Sequence, residues 1–190
     1  MIDRIRRILV PRAMLLFTAA LGAQTTAAPG ATQTPEWKTY SYPAQGFSAS
    51  FPSKPTLQKR DVPTDYALAA DTGCFMRSYL VKSGPAAFFV GICDYSSVAA
   101  GKDTDTLLQM AKNKAPTSSN SQLVREKKIA LGIYRGVEFE AENYAAHLSA
   151  RVYMVGTTLY QTQVVSPLGK PYADTARFLD SFQLIARVQE

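Results

Sequence analysis

Residues 126–131, 133–141, 144–154 and 158–165 read as extended runs, and only turn residues separate them: Gly132, Glu142-Asn143 and Gly156-Thr157. Connections this short allow antiparallel neighbours and leave no room for crossover helices. Within 144–154 the side chains alternate. Tyr144, Ala146, Leu148, Ala150, Val152 and Met154 take one face, and His147, Ser149, Arg151 and Tyr153 take the other. A meander of this kind commits the second half of the chain to an antiparallel sheet with one strongly apolar face.

The rest of the chain fits around that sheet. Residues 38–42 and 47–51 read as short strands with Pro43 and Gly46 between them, and 57–62, 66–82 and 86–95 extend the strand content. Residues 101–115 form the first helix candidate. Asp103 can cap it, Leu107, Leu108, Ala111 and Ala115 share one face, and Pro116 is a stop signal. A second helix is expected from Pro171, with Tyr172, Ala176, Leu179 and Phe182 along one side. The expected class is α+β: an antiparallel β-sheet flanked by helices.

The N-terminus reads differently. Arg4, Arg6, Arg7 and Arg12 precede an apolar run at 13–21, and small residues follow. This is the order of a secretory signal peptide over 1–23, with cleavage after Ala23 or after Ala28. The run is shorter than the roughly 20 apolar residues a membrane span needs, so no stable membrane insertion is expected once the leader is removed. Residues 24–36 are rich in Ala, Thr, Gln and Pro and read as a disordered tail, which leaves 37–190 as a single domain. The leader accounts for half of the formal charge of +6. The small remaining excess, with no dense Lys/Arg run, argues against nucleic acid as a partner. Periplasmic or secreted localisation is expected.

Export bears on the two cysteines, Cys74 and Cys93. An even count in an oxidising compartment fits a disulfide. If Ser83-Gly84 is a two-residue turn, Lys82 pairs with Pro85 and Cys74 then faces Cys93, at about 4.5–5.5 Å between α-carbons. Two reduced, buried thiols in neighbouring strands are the alternative. There is no Cys-x-x-Cys, and one histidine leaves too few ligands for zinc. Neither metal nor cofactor is expected.

One constellation has the character of a binding surface. With Glu142-Asn143 as a two-residue turn, Glu138 faces His147 and Tyr134 faces Arg151. A turn at Gly156-Thr157 sets Tyr160 opposite Tyr153. Tyr134, Glu138, His147, Arg151, Tyr153 and Tyr160 then form a polar and aromatic strip. Arg151 would suit an anion, and the tyrosines would supply contact area. The same strip is also what a solvated sheet face with cross-strand pairs looks like. The sequence holds no Gly-x-Ser-x-Gly elbow, no His-Glu-x-x-His and no glycine-rich phosphate loop.

Two stretches together resemble a known group. Tyr40-Ser41-Tyr42-Pro43 leads to Gly46-Phe47-Ser48 and Phe51-Pro52-Ser53-Lys54-Pro55, and Phe178-Leu179-Asp180-Ser181-Phe182 lies at the end of the last expected helix. Tyr134 to Phe139 (YRGVEF) suits central strands of the same pattern. These residues resemble the PsbP-like exported proteins, which include extrinsic photosystem proteins and bacterial relatives of the DcrB kind. The resemblance implies an α/β/α sandwich around an antiparallel sheet and a binding or accessory role without catalytic residues. No photosystem-binding segment maps onto this chain, so photosynthetic function is not carried over.

The expectation for function is therefore an exported, non-enzymatic binding or accessory protein of the bacterial cell envelope, with an envelope protein or a small ligand as partner. Two alternatives stand beside it: a hydrolase of unrecognised type using His147, and a purely structural envelope protein.

Overall fold

The computed structural model describes residues 35–61, 75–97, 99–118, 120–169 and 171–188. The described residues lie in one compact unit, Thr34–Glu190. The expected leader and nearly all of the expected tail lie outside them, as does Cys74.

A small sheet is built from β1 (Lys38–Tyr42), β2 (Phe47–Phe51) and a two-residue β10 (Gln183–Leu184), in the order β1-β2-β10. A larger sheet contains β3 (Thr56–Asp61), β4 (Phe75–Ser83), β5 (Ala86–Asp94), β6 (Gln122–Leu131), β7 (Tyr134–Glu142), β8 (Ala146–Val155) and β9 (Thr158–Pro167). Its order is β3-β4-β5-β9-β8-β7-β6, antiparallel throughout. The helices are α1 (Thr104–Ser118) and α2 (Thr175–Asp180).

Each face of the large sheet has its own cover, because alternation gives each face its own apolar set. On one face α1 lays Leu107, Leu108 and Ala111 against Val137, Phe139, Ala141, Leu148, Ala150 and Val152. On the other, the small sheet and α2 bring Phe47, Phe51, Phe178 and Phe182 against Tyr79, Phe88, Val90, Tyr153 and Tyr160. The fold is thus α+β, as expected, with one refinement. One outer layer is a helix, and the other is a small sheet carrying a short helix.

Local chemistry explains several boundaries. Asp103 Oδ1 accepts the Thr106 amide at 2.7 Å, which caps α1 as the sequence indicates. The helix nevertheless continues past Pro116 to Ser118, because a proline in the last turn removes only one backbone bond there. The second helix starts at Thr175 rather than Pro171. Gly136 lies where a Cβ would come within 2.6 Å of both the Val152 carbonyl oxygen and Tyr153 Cδ1, so close packing of β7 on β8 requires glycine.

Two registers differ from expectation. The β4–β5 turn is Gly84-Pro85, with Gly84 at φ +55°, so Ser83 pairs with Ala86 and Lys82 with Ala87. Proline, which has no amide to donate, sits in the turn instead of the ladder. Cys93 lies on β5 opposite Leu159 of β9, and the expected pairing with Cys74 falls outside the described residues. The β7–β8 connection holds three residues instead of two. Asn143 Oδ1 accepts the amides of Ala145 and Ala146 at 2.9 and 2.8 Å, and Tyr144 is pushed into solvent. Val137 therefore pairs with Val152.

Candidate functional site

The widened β7–β8 turn decides which side chains meet. Glu138 faces Arg151 and Glu142 faces His147, so the expected Glu138–His147 and Tyr134–Arg151 pairs do not form. Tyr134 instead opposes Leu131 on β6. The Tyr153–Tyr160 pair forms as expected. Both of those rings are buried: Tyr153 stacks on Phe182 with centroids 5.9 Å apart, and Tyr160 donates its hydroxyl to the Gln45 carbonyl at 2.7 Å. They belong to the aromatic core and are not contact surface. Of the expected strip, Glu138, His147 and Arg151 stay together in a polar region.

That region is a ladder of three rungs across β6, β7 and β8. In the first, Glu138 takes Lys127 Nζ at 2.9 Å and Arg151 Nε at 2.6 Å, and Arg151 Nη1 continues to Asp180 on α2 at 2.7 Å. In the second, Arg125 Nη2 binds Glu140 at 2.6 Å, and Ser149 lies opposite Glu140 across the strands. In the third, Glu142 Oε1 lies 2.8 Å from His147 Nδ1, and His147 Nε2 lies 3.1 Å from Ser149 Oγ. The third rung thus joins the second through Ser149.

The electrostatics follow from the partners. Burial works to raise the Glu138 carboxyl, but its hydrogen bonds from Lys127 and Arg151 outweigh burial and hold its pKa below the ordinary value. For Arg151, burial opposes the charge, yet the bonds to Glu138 and Asp180 raise its pKa above the usual guanidinium value. Burial also raises the Tyr153 phenol.

Above the first two rungs, residues 171–173 and α2 form the opposite wall of an open cleft of about 370 Å³. Arg125, Glu140, Ser149 and Arg151 line the sheet side, and Tyr172 and Thr175 line the helix side. Thr175 Oγ1 is buried without a hydrogen-bond partner, alone in this among the described side-chain polar atoms. A second cleft of about 390 Å³ lies between α1 and β6–β7, bordered by the Asp105–Arg135 pair at 3.2 Å and by Lys128. No group of three His, Cys, Asp or Glu side chains among the described residues can hold a metal ion.

The arrangement of the two sheets and two helices has a counterpart among solved structures. The solution structure of cyanobacterial PsbP (CyanoP) from Synechocystis sp. PCC 6803 matches with a TM-score of 0.53 over 84% of this chain and 98% of that one, at 12% identity. The fold is PsbP-like. No family model matches the chain, and no curated protein does. At this identity the likeness to CyanoP concerns the fold, and the three rungs and the cleft are described from this chain's own residues.

Sequence reasoning missed Glu142, Ser149, Glu140 and Arg125. Ser149 was legible as a neighbour of His147 on one strand face, two residues along. Glu142 was hidden because it read as a turn residue. Thr175 and Asp180 carry no local signal, since only the docking of α2 brings them to the ladder.

Proposed function

We propose that this chain is an exported binding or accessory protein of the bacterial cell envelope, and that its binding site is the cleft under α2. The PsbP-like fold supports an accessory or binding role. The leader pattern supports export. No helix among the described residues is long and apolar enough to cross a membrane.

The observation that carries the reading is the cleft itself. Its sheet wall alternates guanidinium and carboxylate groups already held in place by each other, and its helix wall holds an unpartnered hydroxyl. A wall of paired charges suits a small polar ligand that is itself amphoteric, or a polar side chain of a protein partner. It suits a bulky apolar ligand poorly, since that would strip water from four charged groups.

Native mass spectrometry of the protein purified from envelope extract tests this. A bound mass retained by the wild type and lost in Ala176→Trp, which crowds the cleft mouth, is the expected result. Equal retention by both proteins removes the cleft from the reading. No retained mass, together with silent substitutions along all three rungs, leaves a purely structural role. The hydrolase reading rests on a separate observation, the placement of His147 between a carboxylate and a hydroxyl.

A further inference from the structure

We propose that Ser149 is the nucleophile of an acyl-transfer site, with His147 as its base and Glu142 as the residue that orients that base, acting on a small ester held in the cleft under α2. The proposal rests on the reading that the cleft takes a small ligand.

Hydrogen-bond chemistry fixes the direction of the chain of groups. A carboxylate only accepts, so the Glu142 contact at 2.8 Å places the imidazole proton on Nδ1. In the neutral imidazole the lone pair on Nε2 then faces the Ser149 hydroxyl at 3.1 Å. This is the relation of carboxylate, imidazole and hydroxyl that activates a serine, and such a trio is recognised by geometry and roles rather than by sequence order. Here all three groups come from one hairpin, Glu142 from the end of β7 and His147 and Ser149 from one face of β8. Their spacing is fixed by the ladder itself.

The surroundings separate this trio from a simple cross-strand pair. His147 is only 3% exposed, so its Nε2 has the serine rather than bulk water as partner. Ser149, itself buried, lines the cleft, whereas His147 does not. Two residues that line the same cleft carry donors for a developing oxyanion: Thr175, whose hydroxyl is buried without a partner, and Arg125, whose guanidinium is 68% exposed and paired with Glu140. Leu179 and Ala176 supply an apolar side for the acyl group. A cleft of about 370 Å³ is near the small end of the range for ligand sites, which suits a small ester.

The steps balance with water as co-reactant. Ser149 Oγ forms a bond to the carbonyl carbon as its proton passes to His147 Nε2. The tetrahedral intermediate breaks its bond to the alcohol oxygen, which takes that proton and leaves. Water then attacks the acyl-serine through the same base. The carboxylic acid departs, and the proton returns to Ser149.

The test uses the full chain and two probes, a small fluorophosphonate and p-nitrophenyl acetate. In the first, the serine oxygen bonds to phosphorus, fluoride leaves and the proton goes to His147. Peptide mapping should place a single adduct on Ser149, and Ser149→Ala should carry none. Labelling and ester hydrolysis should fall about 10²–10⁴-fold in His147→Gln, the range of general-base catalysis. Glu142→Gln, at a half-exposed position that spares the core, should cost at least about tenfold. Its effect keeps the test decisive if His147→Gln fails to fold. No adduct on Ser149 in the folded wild type overturns the proposal, as does labelling that is indifferent to Glu142→Gln. If Ala176→Trp loses the extract ligand while Ser149 never reacts, the cleft reading stands and the nucleophile falls. If Ser149 reacts equally well in Ala176→Trp, the substrate does not sit in the cleft.

Discussion

The two faces of the large sheet solve the same burial problem with different chemistry. The face under α1 is mainly aliphatic: Val137, Ala141, Leu148, Ala150 and Val152 meet Leu107, Leu108 and Ala111. Its buried charge is at the margin, where Lys112 of α1 binds Glu126 on β6. The opposite face divides in two. Toward β4 and β5 it is an aromatic cluster in which Phe178 meets Phe51 and Phe88 at 5.2 and 5.4 Å. Toward β6 it becomes the ladder of charged rungs under the cleft. A sheet covered by a helix along one face can be dry there. A face covered by a small sheet and a helix of six residues leaves its outer strands for polar chemistry.

Truncations in the two cores test that contrast most strongly. Phe178→Ala should lose about 3–5 kcal/mol in urea unfolding and Leu108→Ala about 2–5 kcal/mol, because both positions are almost fully buried. If Phe178→Ala costs under about 1 kcal/mol, the aromatic cluster is not the anchor of α2. Next is the proposed Cys74–Cys93 bridge. Reduction should lower stability by about 2–4 kcal/mol. Two thiols alkylated without reductant would end the bridge. Gly136→Ala, at the seam between β7 and β8, should cost about 1–3 kcal/mol because the new methyl meets backbone as well as the Tyr153 ring.

The smaller effects are pH-dependent. Glu138 titrates below its ordinary 4.5 in the folded state, so its contribution is present above that pH and is lost as acid carries the protein through the folded value. Glu138→Gln should therefore be less stable than the wild type at neutral pH, with the gap closing below pH 4.5. An unchanged gap at low pH would contradict the rung's electrostatics. At the alkaline end each face holds one phenol pushed up to about 12 by burial, Tyr42 beside the aromatic cluster and Tyr95 beside α1. Their contribution is present below 10.0 and is lost as pH rises toward 12, so Tyr95→Phe should flatten the alkaline fall of stability.

The strands, the two faces of β8 and the cap of α1 were legible because each depends on local alternation or a side chain within one turn. The register of β7 on β8 was not. Asn143 can end a two-residue turn or close a three-residue one, and hydrogen bonds to Ala145 and Ala146 choose the second. That single residue moved His147 from Glu138 to Glu142 and so changed which trio the hairpin assembles. The cleft was even less visible, because α2 docks through contacts with β2, β8 and β9 that no local pattern announces. Tyr153 and Tyr160 carry the reverse lesson. Their pairing was readable, but their burial under Phe182 was a matter of the second layer.

The strand order has a consequence for how the chain is made. β5 finds its second neighbour only in β9, and β2 finds its second neighbour only in β10. A chain cut before Thr158 would present three unsatisfied edges, those of β5 and β8 in the large sheet and that of β2 in the small one. Both sheets are thus completed by strands that come after their other members in chain order. Partial products carry their incompleteness on the surface, where a protease can read it, whereas among the described residues the whole fold leaves as edges β1 and the two-residue β10 of the small sheet and β3 and the bulged, charge-studded β6 at opposite ends of the large one.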